Sequence, residues 1–305
     1  MARLEREEMR IPSQEPGFEV FVMRIRAPNP KGAVVMTHGA GSPSSAIWDL
    51  RHKDYSLMRN LACAGFDTYA LDVRGFGGST KMPGLKTPPE GKQPLVRAAE
   101  TMPDVGAVVA FAQRSSNVEA VDIFAWSWGC DVAAMYASRH PKSIRRLVLF
   151  APVYDRRWPS RHIAKGAWRA MPKSELFAFF DAAREEREVL EEIATGMFRF
   201  SAENERELRL PNGPYRDIYG VDAPVWSARR IEAHTLVLRG DQDKASTAQS
   251  VRHLLRDLSR ARSKRETILK GLGHFAFRER GHAALTTAVI AFLSAPEADL
   301  STSTP

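Results

Sequence analysis

Short apolar runs that stop abruptly at small or polar residues recur along this chain, and stretches with helical spacing separate them. Residues 33–37 run into His38-Gly39-Ala40-Gly41, and residues 66–71 into Asp72-Val73-Arg74-Gly75. Residues 121–124 run into Ala125-Trp126-Ser127-Trp128-Gly129, and residues 236–239 into Gly240-Asp241-Gln242-Asp243. Apolar runs without polar alternation are strands covered on both faces, and the helices between them supply the crossovers that parallel strands need. Residues 57–64, 101–115 and 131–139 carry the helical patterns, with Gly65 and His140-Pro141 as stops. The alternation predicts an α/β fold with a mostly parallel sheet and helices on both faces. It breaks after Ala151-Pro152: from about residue 154 to 227 the patterns are helical, with no convincing strand, before the sheet resumes at Ala233.

The turn around Ser127 carries the chemistry. A strand feeds a sharp turn that offers one hydroxyl, and a helix starts immediately behind it. A serine on such a strained turn leaves no room for large side chains two positions to either side, where Ala125 and Gly129 stand. The usual form is G-x-S-x-G, and Ala125 varies its first position. A serine hydroxyl is a poor nucleophile until a base takes its proton, and the base needs a third group to hold its tautomer. Candidates follow in the order serine, acid, histidine. Asp241 and Asp243 end one strand, Asp155 follows another, and His274 ends residues 267–274 on a glycine-rich loop.

These residues, in this order, resemble the α/β-hydrolase superfamily over roughly residues 17 to 293. The matching pieces are His38-Gly39, Asp72 through Ser79, the Ser127 turn, Gly240 through Asp243, and Gly273-His274-Phe275. The resemblance implies an eight-stranded sheet with a helical lid inserted after the sixth strand. The core would span residues 1–152 and 229–295, the lid 153–228, and a flexible tail 296–305. It implies Ser127 as nucleophile, His274 as base and Asp243, three residues after Gly240, as the acid. Asp241 then bonds its own turn, and Asp155 occupies a position some family members use instead. The backbone N–H groups of Trp128 and Ala40 would form the oxyanion hole. His38, Asp72 and Arg74 are assigned structural parts. Gly39, Trp126, Phe275, Trp158 and Phe180 are assigned to the substrate pocket. The rings of Trp126 and Trp128 either wall that pocket or pack under the turn.

Serine at position 127 disfavours the haloalkane dehalogenases and epoxide hydrolases of the superfamily, which use a carboxylate there. The chemistry expected is hydrolysis of a carboxylic ester, thioester or lactone of a small apolar substrate through an acyl-serine. The alternatives are a carbon–carbon bond hydrolase of a vinylogous diketone, or a peptidase like the proline iminopeptidases, which Ser127-Trp128-Gly129 is similar to. A non-enzymatic binding protein on the same frame is a minor alternative.

No metal or organic cofactor is needed for this chemistry, and the expected partner is a small molecule. The net charge of +8 over 305 residues is modest and mixed in sign, and no nucleic-acid-binding pattern is present. No stretch approaches the length of a membrane span, and the charged opening octet lacks the apolar run of a secretory signal, so a cytoplasmic protein is expected. Cys63 and Cys130 fall in helical patterns that read as buried, and both are expected to be free thiols. Residues 80–95 form a long Pro-, Gly- and Lys-rich loop at the edge where ligands bind. In the lid, Leu176, Phe177, Phe179, Phe180 and Ala183 cluster, and Val189, Leu190, Ile193 and Met197 keep helical spacing. Arg157, Arg161, Lys165 and Arg169 recur every four residues, as either a carboxylate-binding stripe or a solvated helix face.

Overall fold

The computed structural model describes residues 4–154, 165–178, 180–201, 207–220 and 224–301. Its strands are β1 (Arg6–Pro12), β2 (Glu19–Ile25), β3 (Gly32–Thr37), β4 (Phe66–Asp72), β5 (Val121–Trp126), β6 (Ile144–Phe150), β7 (Trp168–Pro172), β8 (Glu207–Pro211), β9 (His234–Gly240) and β10 (Lys264–Leu269). Its helices are α1 (Ser44–Ile47), α2 (Leu57–Cys63), α3 (Met102–Ser116), α4 (Trp128–Arg139), α5 (Arg187–Phe198), α6 (Gly213–Tyr219), α7 (Ala248–Asp257), α8 (Ala283–Ser294) and α9 (Glu297–Ser301).

Eight strands form one sheet in the order β1-β2-β4-β3-β5-β6-β9-β10. The pairs from β4 to β10 are parallel, while β1 and β2 run antiparallel at one edge. Every residue of β3, β4 and β5 is buried, as their largely apolar runs imply, whereas the edge strand β10 alternates exposed and covered. The chain leaves β3 for β4 on one side and returns as β5 on the other. This reversal opens a crevice at the carboxyl ends of β3 and β5, where open α/β sheets bind ligands. Helix α2 packs beside α8 and α3 beside α4.

The segment between β6 and β9 differs from its expected all-helical form. Helix α5 forms and buries Val189, Leu190, Ile193 and Met197 as their spacing demands. Yet β7 and β8 pair antiparallel, Trp168 opposite Pro211 and Pro172 opposite Glu207. β7 does not alternate in sequence, β8 alternates over only four residues, and each ends in proline, so their pairing is specified by a partner far along the chain. Arg169 therefore lies in a strand, and the four-residue spacing does not continue one helix face from Lys165 to Arg169. Arg157 and Arg161 lie outside the described residues. Arg169 bonds Glu175 (3.2 Å) and the Tyr215 hydroxyl (2.9 Å).

The proline-rich loop after β4 cradles this segment: Leu95 N–H donates to Ala167 O (3.0 Å), Ala167 N–H to Pro89 O (2.9 Å) and the Trp168 indole to Thr87 O (2.8 Å). Within the stretch expected to be a flexible tail, Glu297–Ser301 form α9 with Leu300 fully buried, and residues 302–305 lie outside the described residues. Cys130 is buried, but Cys63 is exposed because it lies off the stripe of Leu57, Met58, Leu61 and Ala62 that α2 buries; both thiols are free. Among the described residues no helix is long and apolar enough to cross a membrane.

Candidate active site

Ser127 sits between β5 and α4 with φ 54° and ψ −124°, a left-handed conformation for a residue that carries a Cβ. Such a backbone costs on the order of 1–3 kcal/mol and persists only when its surroundings over-determine it. Here Ser127 N–H donates to Phe150 O on β6 (2.9 Å), and Ser127 O accepts from Cys130 N–H (2.9 Å). The small neighbours are required by contact. A Cβ on Gly129 would lie 2.5 Å from His38 O, and one on Gly39 would lie 2.8 Å from the Trp126 ring and 3.2 Å from Ser127 Cβ.

Two other strand ends bring their side chains to this turn. His274 Nε2 lies 2.9 Å from Ser127 Oγ, and His274 Nδ1 lies 2.8 Å from Asp243 Oδ2. Asp243 presents its other oxygen to the N–H groups of Ala245 (2.8 Å) and Ser246 (2.9 Å). Burial alone would raise the Asp243 pKa. The neighbouring His274 and these backbone donors outweigh it and hold the carboxyl below its ordinary value, as an anion. A carboxylate accepting from Nδ1–H leaves Nε2 unprotonated towards the serine. Asp241 does not join this chain. Its carboxylate accepts from Gly271 N–H (2.8 Å), tying the acid's turn to the histidine's loop, so it bonds beyond its own turn. Asp155 lies outside the described residues.

Trp128 is the first residue of α4, where an N–H has no acceptor within the helix and the helix dipole favours an anion. Ala40 lines the same cavity as Ser127. His38 is fully buried: its Nε2 accepts from Val73 N–H (3.2 Å), which places the proton on Nδ1, donated to Gly39 O (2.8 Å). Burial lowers its pKa and keeps it neutral, so it shapes the loop that presents Ala40. Asp72 holds Ser45 N–H (2.9 Å) and Gly78 N–H (2.9 Å), and Arg74 holds Asp104, as the structural parts assigned to them require.

The cavity over Ser127 has a volume of about 610 Å³. Trp126 and Phe275 wall it from the core, while Tyr215, Ile218 and Tyr219 of α6 close it from the inserted segment. Burial, with Tyr215 and the Asp243 charge, pushes the Tyr219 phenol up to about 12. The two tryptophans differ. Trp126 lines the cavity, while the Trp128 ring is fully buried and its indole donates to Asp217 Oδ2 (3.1 Å). Phe180 is not among the residues lining this cavity, Gly39 acts through close packing, and Trp158 lies outside the described residues. Cys130, behind the turn, has its pKa pushed well up by burial, so it stays an inert thiol. A second cavity of about 380 Å³, between the loop after β4, the end of α5 and β8, includes none of Ser127, His274 or Asp243. Among the described residues, His52, Glu186 and Glu188 bring possible metal-ligand atoms within 4.8 Å of one another, away from this cavity. Glu186 there already bonds Lys53 (2.5 Å), His52 (2.9 Å) and Tyr55 (3.3 Å).

The side chains that sequence reasoning missed are charged groups bordering the histidine loop: Arg184, Glu185, Arg278 and Glu279. Their sequence carries mixed-charge runs that read as solvated faces, and only the long-range pairing turns them inward.

A family model described as serine aminopeptidase, S33, matches residues 28–281, and the chain belongs to that family. It is an α/β hydrolase, and a serine hydrolase by family. No curated protein sequence matches it significantly. Among solved structures it is similar to a probable hydrolytic enzyme from Pseudomonas aeruginosa PAO1, with 15% identity, 95% of each chain covered and a TM-score of 0.71. A thermophilic esterase from Thermogutta terrifontis aligns at 17% identity over 94% of this chain and 98% of that one, with a TM-score of 0.64. A monoacylglycerol lipase from Paleococcus ferrophilus aligns at 19% identity over 95% and 98%, with a TM-score of 0.61. At these identities the likeness is one of fold.

Proposed function

We propose that Ser127, His274 and Asp243 act as nucleophile, base and orienting acid in hydrolysis of a carboxylic ester, thioester or lactone with a small apolar acyl group. The observation that carries this reading is the unbroken chain Ser127 Oγ–His274 Nε2 (2.9 Å) and His274 Nδ1–Asp243 Oδ2 (2.8 Å), opening on a cavity with aromatic walls. Ser127 Oγ attacks the acyl carbon as its proton passes to His274 Nε2, and the N–H groups of Trp128 and Ala40 receive the developing oxyanion. The tetrahedral species collapses, the leaving oxygen or sulfur takes the proton from His274, and an acyl-serine remains. Water then attacks with His274 again as base, releasing the acid and restoring the serine. Asp243 stays ionised throughout and stabilises the imidazolium. The segment between β6 and β9 serves as the lid of this cavity.

The family description raises the peptidase alternative. A peptidase that recognises a free N-terminus needs an available carboxylate for the substrate's ammonium group. Besides Asp243, the acids lining this cavity are Glu185 and Glu279, each buried and paired with an arginine (Arg278 at 2.6 Å and Arg184 at 2.6 Å), and the exposed Asp181, whose carboxylate accepts from Ala183 N–H (3.0 Å). With both buried glutamates engaged, Asp181 is the carboxylate an ammonium-bearing substrate would have to use, and its exposure to solvent favours a neutral, apolar substrate. The esterase and lipase among the structural neighbours agree with the ester reading.

The test is a panel of p-nitrophenyl esters of rising chain length, an acyl thioester and a lactone, set against aminoacyl p-nitroanilides and a vinylogous diketone. Short-chain esters should turn over with the highest kcat/KM. Preference for the aminoacyl anilides would replace this reading by the peptidase one.

A further inference from the structure

Four side-chain contacts hold the backbone of the loop that carries His274, beside the backbone bond from Gln242 N–H to Leu272 O (3.0 Å). The Trp126 indole donates to His274 O (2.9 Å), and Asp241 accepts from Gly271 N–H (2.8 Å). The other two come from a single ion pair. Both carboxylate oxygens of Glu279 face Gly273 N–H (3.0 and 3.1 Å), immediately before the histidine. Arg184 Nη2 lies 2.6 Å from Glu279 Oε2 and also donates to Gly271 O (3.0 Å). A Cβ on Gly273 would stand 3.0 Å from Glu279 Oε1 and 3.2 Å from Arg184 Nη2, so the glycine leaves the space in which this pair closes.

The two partners belong to different parts of the molecule. Glu279 follows His274 in the core, while Arg184 lies in the segment inserted between β6 and β9. The junction is a short stretch of strand-like pairing: Glu185 bridges Glu279, and Arg280 N–H donates to Arg184 O (2.7 Å). A reciprocal pair, Arg278 Nε to Glu185 Oε1 (2.6 Å), closes it, with the Arg278 guanidinium 4.3 Å from the Phe275 ring centroid. If the segment lifts, Gly271 O loses its donor and Glu279 loses the cation that holds its carboxylate against Gly273 N–H. This part of the restraint on His274 therefore depends on the segment being seated, while the Trp126 and Asp241 contacts come from the core.

We propose that Glu279 and Arg184 are positioning residues for His274, and that they make the alignment of its imidazole depend on seating of the inserted segment. The proposal rests on His274 being the base, as argued above. Neither side chain touches reacting atoms in this scheme; both act through the backbone on either side of the histidine. A misplacement of about 1 Å at a reacting group costs on the order of a hundredfold in rate, so a loop that loses two of its four side-chain contacts should lose kcat and keep substrate binding.

The experiment uses the full chain and an activated ester, with rates expressed per active site titrated by a fluorophosphonate. The variants are Arg184→Met, Arg184→Lys, Glu279→Gln and His274→Ala. Glu279→Gln keeps the volume and one acceptor for Gly273 N–H, and Arg184 is partly exposed, so both variants should fold. Arg184→Met and Glu279→Gln should each lower kcat about ten- to a hundredfold with KM changed less than about twofold. Arg184→Lys should recover part of the loss, and the Arg184→Met/Glu279→Gln double variant should fall little below the worse single one, as expected for two residues with one role. Unchanged kcat per titrated site in either single variant, or a loss confined to KM, overturns the proposal. His274→Ala separates the two readings. An active His274→Ala protein removes His274 as the base, whereas an inactive one beside an unaffected Arg184→Met removes only the positioning role.

Discussion

The cavity over Ser127 has a floor and a roof that are held together by different forces. The floor is the ends of β3, β5 and β9, buried along their whole length, and of the half-covered edge strand β10, and the candidate site residues follow these ends. The roof buries Val189, Ile193, Met197 and Ile218 against the core but is also tied down by polar and charged contacts: Glu186 at the start of α5 bonds His52, Lys53 and Tyr55, Glu192 accepts from Arg51 N–H (2.7 Å), and Asp217 of α6 takes Arg97 (2.5 Å) and the Trp128 indole (3.1 Å). Apolar packing varies little with pH, whereas exposed ion pairs weaken with acid and salt. The contrast implies a rigid reacting centre beneath a cover whose seating responds to solution conditions.

Substitutions in the floor should act on the chemical step, and the largest effect should follow removal of the nucleophile. Ser127→Ala should lower kcat about a millionfold while the thermal midpoint is kept or rises, since the change removes one oxygen and no core volume. Measurable ester turnover close to the parent rate would end the account of the floor.

Asp243→Asn should cost about ten-thousandfold in kcat, because an amide favours the wrong imidazole tautomer. Asp241→Asn should cost far less, since Asp241 braces Gly271 and not the imidazole. A larger loss at Asp241 would move the acid one turn position. The lowered Asp243 pKa also sets a sign for pH dependence. A group depressed on folding contributes stability above its unfolded pKa, and that contribution is lost as pH falls through the folded value. The floor should therefore resist acid until below the ordinary carboxylate range, as urea midpoints measured against pH would register.

Gly129→Ala is a smaller, structural test. Its Cβ would meet His38 O at 2.5 Å, so the turn and the Ala40 loop must part, at about 1–3 kcal/mol of stability and with a loss of kcat. A variant with parental stability and rate would show that the tight crossing is not needed.

The smallest effect is expected in the roof. Hydrogen bonds from Lys53 and His52 lower the Glu186 pKa to about 2. By the same sign its contribution is present above about 4.5 and lost as pH falls towards 2. Glu186→Gln should leave global unfolding nearly unchanged and increase proteolytic cleavage within the inserted segment at neutral pH, as acid does in the parent. Equal proteolysis of variant and parent would mean that apolar packing seats the roof and would erase the contrast.

The same difference governed what the sequence disclosed. Strands β3, β5 and β9 carry mostly apolar runs ending at His38-Gly39, Ser127 and Gly240-Asp241, so their positions and order could be read directly. Gly129 and Ala125 carried local information about a turn that only small residues fit. In the roof, α5 was legible because Val189, Leu190, Ile193 and Met197 repeat at helical spacing. Strands β7 and β8 were not, because each is five residues long and stable only against the other. Glu279 and Arg184 were invisible for a related reason: a charge in a mixed run reads as solvated until a distant partner buries it. Two shared signals, Trp126 and Trp128, could be resolved only by coordinates, which set one ring in the cavity wall and the other in the core.

The central claim is that Ser127 is the activated nucleophile, and covalent trapping tests it most directly. The protein is treated with a fluorophosphonate, digested, and the adduct is located by peptide mass spectrometry. The account predicts one phosphonylated residue, Ser127, with labelling abolished in Ser127→Ala and strongly slowed in His274→Ala. An adduct at another residue, or undiminished labelling of a folded Ser127→Ala protein, would contradict it.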